Sequence, residues 1–295
     1  MPAEAGDANP GEGGGATTSD GGGVSGSGMG DGSAGNSGTP DTKVVMYLPN
    51  WSGSFSTWAT KIDFNKMTHL NLAFGVVRAG TNDWSLGAAD ADVKALAAAA
   101  HAKNVKILVS IGGASDDIGI INQYQTQSNI APLVANLDAF VTRLNLDGVD
   151  VDLERGSYMK ATGNFPAFVN KVVSTFRPEG KLVTTALAQY IVQDAGGGGA
   201  GGAALNAVLG SYDFINLMIY STNMSTYTNE LNWWTANTGL PKTKLVWGVD
   251  FSPGKLTAAM AKQLTTASKA YGGIMVWEYS LGGELVLWPA IQGAI

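Results

Sequence analysis

Asp147-Gly148-Val149-Asp150-Val151-Asp152-Leu153-Glu154 decides how the rest of this chain is read. Carboxylates at 150, 152 and 154 alternate with aliphatic side chains at 149, 151 and 153. Successive side chains of an extended strand point to opposite faces, so the spacing predicts a strand that is apolar on one side and acidic on the other. Crowded carboxylates repel one another and, once buried, must be paired or protonated. Such a strand is poor core material and well suited to proton transfer. A calcium-binding or simply solvated acidic strand is the competing reading of these residues alone.

Outward from this stretch the chain repeats a strand-then-helix rhythm. Apolar runs predict strands at Val44–Leu48, His69–Val76, Lys106–Ile111, Gly148–Leu153, Leu182–Ala188, Phe214–Tyr220, Lys244–Val249 and Gly273–Trp277. Helical spacing of apolar residues marks Asp90–Lys103, Ala131–Leu144, Asn164–Phe176, Glu230–Asn237 and Lys255–Tyr271. Eight strands separated by helices fit an α/β chain closed into a (β/α)8 TIM barrel, whose chemistry collects where the strands end in carboxyl-terminal loops. Glu154, Tyr220 and Trp277 are expected at three such ends.

Composition bounds the rest. With 45% hydrophobic residues in 295, the chain can bury a large core. The first 40 residues are rich in Gly, Ser, Asp and Ala and nearly lack large apolar side chains, so they cannot offset the entropy of ordering. They read as a disordered leader or linker, 1–40, ahead of one catalytic domain, 41–295. A second glycine-rich run, Ala195–Gly202, is expected to form a mobile loop. Net charge −6 and a pI near 4.9 argue against nucleic acid, which draws on clustered Lys and Arg. The absence of cysteine excludes disulfides and thiolate chemistry, and His69 and His101 alone leave little scope for a histidine metal site. No segment is long and apolar enough to span a bilayer, and the start of the chain shows neither a basic region nor an apolar signal core.

The order and spacing of the acids resemble the D-x-x-D-x-D-x-E signature of the family-18 glycoside hydrolases, which include chitinases and endo-β-N-acetylglucosaminidases. Ser110-Ile111-Gly112-Gly113 resembles that family's S-x-G-G element, Met218-Ile219-Tyr220 its M-x-Y, and Gly272–Trp277 its last strand ending in tryptophan. The resemblance covers most of the chain after residue 40.

From the residues, Glu154 is a candidate general acid, because neighbouring Asp152 and partial burial would raise its pKa. No second catalytic carboxylate is evident on another strand, although a loop could supply one. The resemblance implies that the substrate's own 2-acetamido group acts as nucleophile, with net retention. It further implies that Asp152 orients that group, Asp150 shares a proton or hydrogen bond with Asp152, and Tyr220 donates to the acetamido oxygen. Trp277 would floor the sugar site, and Met218, Gly113 and Trp51 would contribute to substrate binding. No metal or organic cofactor is required.

Two departures from the family pattern bear on specificity. Ser221 follows Tyr220 where many members carry Asp or Asn, and the Val249–Gly273 connection is too short for the additional α+β domain that deepens the groove of many processive chitinases. An open cleft and an endo-acting chitinase are expected, on chitin or chitooligosaccharides. The alternatives are an endo-β-N-acetylglucosaminidase acting on the N-glycan chitobiose core, and a non-catalytic glycan-binding barrel. A polymeric substrate and a linker-like leader imply an extracellular or cell-surface protein, with a monomer as the default.

Overall fold

The alternation read from the sequence separates two cores in a computed structural model of the chain. The model describes residues 42–78, 80–115, 117–156, 159, 164–196, 203–252, 254–279 and 284–294. The leader expected over 1–40 lies outside them, as do residues 197–202 of the internal glycine-rich run. In β1 (Lys43–Pro49), Val45 and Tyr47 join a small cluster inside the barrel, while Val44, Met46 and Leu48 join the larger layer shared with the helices. The acidic strand divides the same way. Val149, Val151 and Leu153 pack outward, and fully buried Asp150 occupies the interior.

The other strands are β2 (His69–Val77), β3 (Trp84–Ser85), β4 (Lys106–Gly112), β5 (Gly148–Asp152), β6 (Leu182–Leu187), β7 (Ile215–Leu217), β8 (Leu245–Asp250) and β9 (Gly273–Trp277). Parallel pairing runs β1-β9-β8-β7-β6-β5-β4-β2, and β1 pairs again with β2 to close the ring. This is the (β/α)8 barrel expected from the strand rhythm. Only β3 lies outside it, as an antiparallel partner of the end of β2.

Helices cover the outside through apolar stripes. In the helix Phe165–Phe176, Phe168, Val172 and Phe176 recur at helical spacing and are fully buried. Each such side chain contributes roughly 1.5–3 kcal/mol by leaving water.

The structure corrects several sequence expectations. The strand expected over Phe214–Tyr220 is only three residues long, because the backbone turns after Leu217. There the Ile219 N–H donates back to the Leu217 carbonyl at 2.9 Å, and Tyr220 takes a left-handed conformation at φ 46°. Likewise Glu154 does not end β5; it lies two residues past Asp152, in the following loop. The helices expected from Ala131 and from Glu230 begin earlier, at Gln127 and Met224. Among the described residues, five short α-helices, including Asp117–Tyr124 and Gln189–Gly196, are not expected from the sequence, since so few turns do not establish a period.

Candidate active site

Asp150 is the buried centre from which the site is built. Its Oδ2 accepts the Tyr47 hydroxyl and the Ser110 hydroxyl, each at 2.8 Å. Its Oδ1 accepts Thr184 Oγ1 at 2.6 Å and Asn216 Nδ2 at 3.3 Å. The donors come from β1, β4, β6 and β7, so one carboxylate ties half of the barrel's strands together. Burial pushes its pKa up, and the four hydrogen bonds offset that shift without cancelling it. Burial and the nearby Asp150 and Asp152 charges hold the Tyr47 phenol well above its ordinary range, which keeps it a donor.

Asp152 sits one pleat further toward the carboxyl end. It is buried, and its Oδ1 finds no hydrogen-bond partner among the described residues. The hydrogen bond expected between Asp150 and Asp152 is absent among the described residues, since the Asp150 oxygens are engaged by the four donors. Burial raises the Asp152 pKa well above the usual carboxylate range, and Glu154, Asp150 and Asp117 raise it further. Such a group accepts a proton or a hydrogen-bond donor readily.

Glu154 is half-buried. Burial and then the Asp117 charge raise its pKa, while the Ala114 backbone N–H and the Arg155 guanidinium act in the opposite direction. Asp117, which the sequence reading passed over, fixes this loop. Its buried carboxylate accepts the backbone N–H groups of Glu154 and Arg155, both at 3.1 Å, and Arg155 Nε at 2.7 Å. It lies seven positions after Ser110, just beyond the S-x-G-G element. Only the fold brings it beneath the acidic loop.

The two glycines of that element are needed for close approach. A Cβ on Gly112, at φ 111°, would lie 2.1 Å from the Asp152 carbonyl oxygen. One on Gly113, at φ 82°, would lie 2.5 Å from the Phe74 ring. Gly113 thus leaves room for the Phe74 ring, and Ala114 and Ser115 rather than Gly113 line the opening.

Asp152 and Glu154 face a cavity of about 400 Å³ whose other walls are largely aromatic. Trp277, Tyr220, Met218 and Trp51 all line it, as does Phe74, another residue the sequence reading did not single out. Phe74 stacks on Trp277 with ring centroids 5.7 Å apart, and Trp51 lies 6.3 Å from Trp277 at the mouth, 60% exposed. In an apolar strand, Phe74 carried no mark to distinguish it from core. Burial, followed by the Asp152 and Glu154 charges, keeps the Tyr220 phenol protonated. Ser221 Oγ accepts the Asn223 N–H at 3.1 Å and is not among the cavity-lining residues.

The arrangement offers a proton donor, a hungry acceptor and a phenolic donor above an aromatic floor. Among the described residues, no group of three or more His, Asp or Glu side chains could hold a metal ion, and no helix is long and apolar enough to cross a membrane.

The model of the glycosyl hydrolases family 18 matches residues 43–277. Chitinase 2 of Rhizopus oligosporus is 27% identical over 205 residues, covering 60% of this chain and 34% of that protein. The acidic endochitinase of Phaseolus angularis is 26% identical over 222 residues, covering 66% of this chain and 68% of its own. The chain therefore spans about a third of the first relative's length and about two thirds of the second's. The crystal structure of the GH18 chitinase ChiB from the chitin utilization locus of Flavobacterium johnsoniae shares the fold, with TM-score 0.68, 24% identity and coverage of 86% of this chain and 93% of that one.

Proposed function

The chain belongs to the glycosyl hydrolases family 18, and from that membership and the cavity's geometry we propose that it cleaves β-1,4 linkages of N-acetylglucosamine polymers as an endo-acting chitinase. The observation that carries this reading is the convergence of Asp152, Glu154 and Tyr220 on one aromatic-walled cavity. The catalytic unit is the domain 41–295, acting as a monomer outside the cell or at its surface. The presence of chitinases among the relatives supports the substrate class.

The reaction follows from what each group can do. A pyranose packs its C–H face on Trp277, as apolar sugar faces do on indole. Glu154, kept protonated by burial and by Asp117, gives its proton to the glycosidic oxygen as that bond breaks. The substrate's acetamido oxygen attacks the anomeric carbon, and the C–O bond it forms closes an oxazolinium ring with net retention after hydrolysis. Asp152, whose Oδ1 has no other partner, accepts the acetamido N–H and stabilises the positive charge. Tyr220 donates to the acetamido oxygen and fixes its approach. Glu154, now a carboxylate, takes a proton from the water that opens the ring. Asp150, held in place by its four donors, helps raise the Asp152 pKa and acts through it.

Product analysis by mass spectrometry tests the substrate class. Release of short oligomers from chitin oligosaccharides supports the reading. Cleavage confined to a high-mannose glycoprotein would assign the N-glycan core instead, and binding without products would leave a glycan-binding barrel.

A further inference from the structure

Met218 lines two cavities. Besides the one just described, a second of about 380 Å³ lies beside it, lined by Gln189, Tyr190 and Gln193 from the start of the helix Gln189–Gly196 and by Glu230 from the helix Met224–Thr238. Tyr190 lines the second cavity and lies within electrostatic reach of the first. It is 55% exposed, and its hydroxyl feels, after burial, the charges of Glu154 and Asp152 and of Asp194 on its own helix.

Glu230 has no role in the reaction described. Its carboxyl is half-buried and makes no ion pair or hydrogen bond among the described residues, and burial alone pushes its pKa up to about 6. Tyrosines share its surroundings: the Tyr190 phenol lines the same cavity, and the shift of Tyr227 includes the Glu230 and Asp250 charges. None of the described residues lining the cavity is Lys, Arg or His. A neutral sugar hydroxyl could hydrogen-bond this carboxylate but would leave its charge uncompensated. An ammonium group supplies both the hydrogen bonds and the opposite charge.

We propose that this second cavity binds a glucosamine unit of partially N-deacetylated chitin, with Glu230 receiving its C2 ammonium and the Gln189 and Gln193 amides meeting its hydroxyls. The inference rests on the function proposed above, which requires an intact acetamido group only in the cavity holding Asp152 and Glu154. The protein is thereby selective for mixed sequences: acetylated at the point of cleavage, deacetylated beside it.

Calorimetric binding in a Glu154→Gln background tests this without turnover. The ligands are fully acetylated chitopentaose and its singly N-deacetylated forms, titrated against Glu154→Gln and Glu154→Gln/Glu230→Gln at slightly acidic to neutral pH. The expected result is about fivefold tighter binding of the best deacetylated form, as for a partly screened ion pair, weakened by added salt and erased by Glu230→Gln. Binding of both ligands with equal affinity, or a preference that survives Glu230→Gln, would overturn the inference and leave the chitinase reading standing. Failure of both ligands to bind would overturn both. Glu230 is partly exposed and the amide is isosteric, so an unchanged melting temperature verifies that the variant is folded.

Discussion

Asp117 holds the backbone of Glu154: its Oδ2 accepts the Glu154 N–H at 3.1 Å, and the same oxygen accepts the Arg155 N–H. Arg155 closes the clamp from the side-chain direction, with Nε 2.7 Å from Asp117 Oδ1. A buried carboxylate 37 positions earlier in the chain therefore sets both where the candidate acid stands and how readily it ionises.

Asp117→Asn is expected to lower kcat by about ten- to a hundredfold, because small displacements of a reacting group are costly. It should also shift the pH profile. The Asp117 charge raises the Glu154 pKa, so its removal lets Glu154 ionise at lower pH, and the alkaline limb of kcat moves toward acid. A profile of unchanged shape would show that Asp117 is only structural.

Asp152→Asn is expected to abolish turnover yet stabilise the protein. The Asp152 pKa is raised on folding, so the stability its protonated form confers is present below the ordinary carboxylate pKa and lost as pH rises through the folded value. At neutral pH the wild type carries the resulting deficit, and the amide does not. Thermal melts should show a gain of about 0.5–2 kcal/mol near pH 7, typical of relieved active-site strain, shrinking toward pH 4. A loss of stability at neutral pH would contradict this.

Tyr47→Phe removes one of the two donors to Asp150 Oδ2, leaving Ser110 alone on that oxygen. The expected cost is about 1.5–3 kcal/mol, the range for a hydrogen bond to a charged group, measured by urea denaturation.

Tyr220→Phe keeps the ring and removes the phenolic donor. If that donor meets the acetamido oxygen in the transition state, kcat should fall by about 10²-fold or more, as when one oxyanion donor is lost, with KM little changed. A rise in KM alone would make Tyr220 a binding contact.

Much of this is legible in the sequence. The alternation from Val149 to Leu153 places Asp150 and Asp152 on one face because strand period is local, and the eight apolar runs imply the closed barrel, whereas Glu154 stands in the loop just past that strand. What escaped depends on register and on loops. Tyr47, Ser110, Thr184 and Asn216 meet at Asp150 through pairings such as Ser110 opposite Asp150 and Asp150 opposite Thr184, which no single strand encodes. Tyr220 turns out of β7 at positive φ, so a run that reads as one long strand is cut short. Asp117 and Glu230 are ordinary acids in short or surface helices until the fold sets one under Glu154 and the other beside Met218.

The most direct test of the proposed chemistry compares wild type and Glu154→Gln on chitotetraose, following kcat and, by proton NMR, the anomer first released. The account predicts β-anomer products from the wild type and a loss of at least about 10³-fold in the variant, a large share of which is the missing proton transfer. Undiminished turnover by Glu154→Gln, or initial release of the α-anomer, would contradict it.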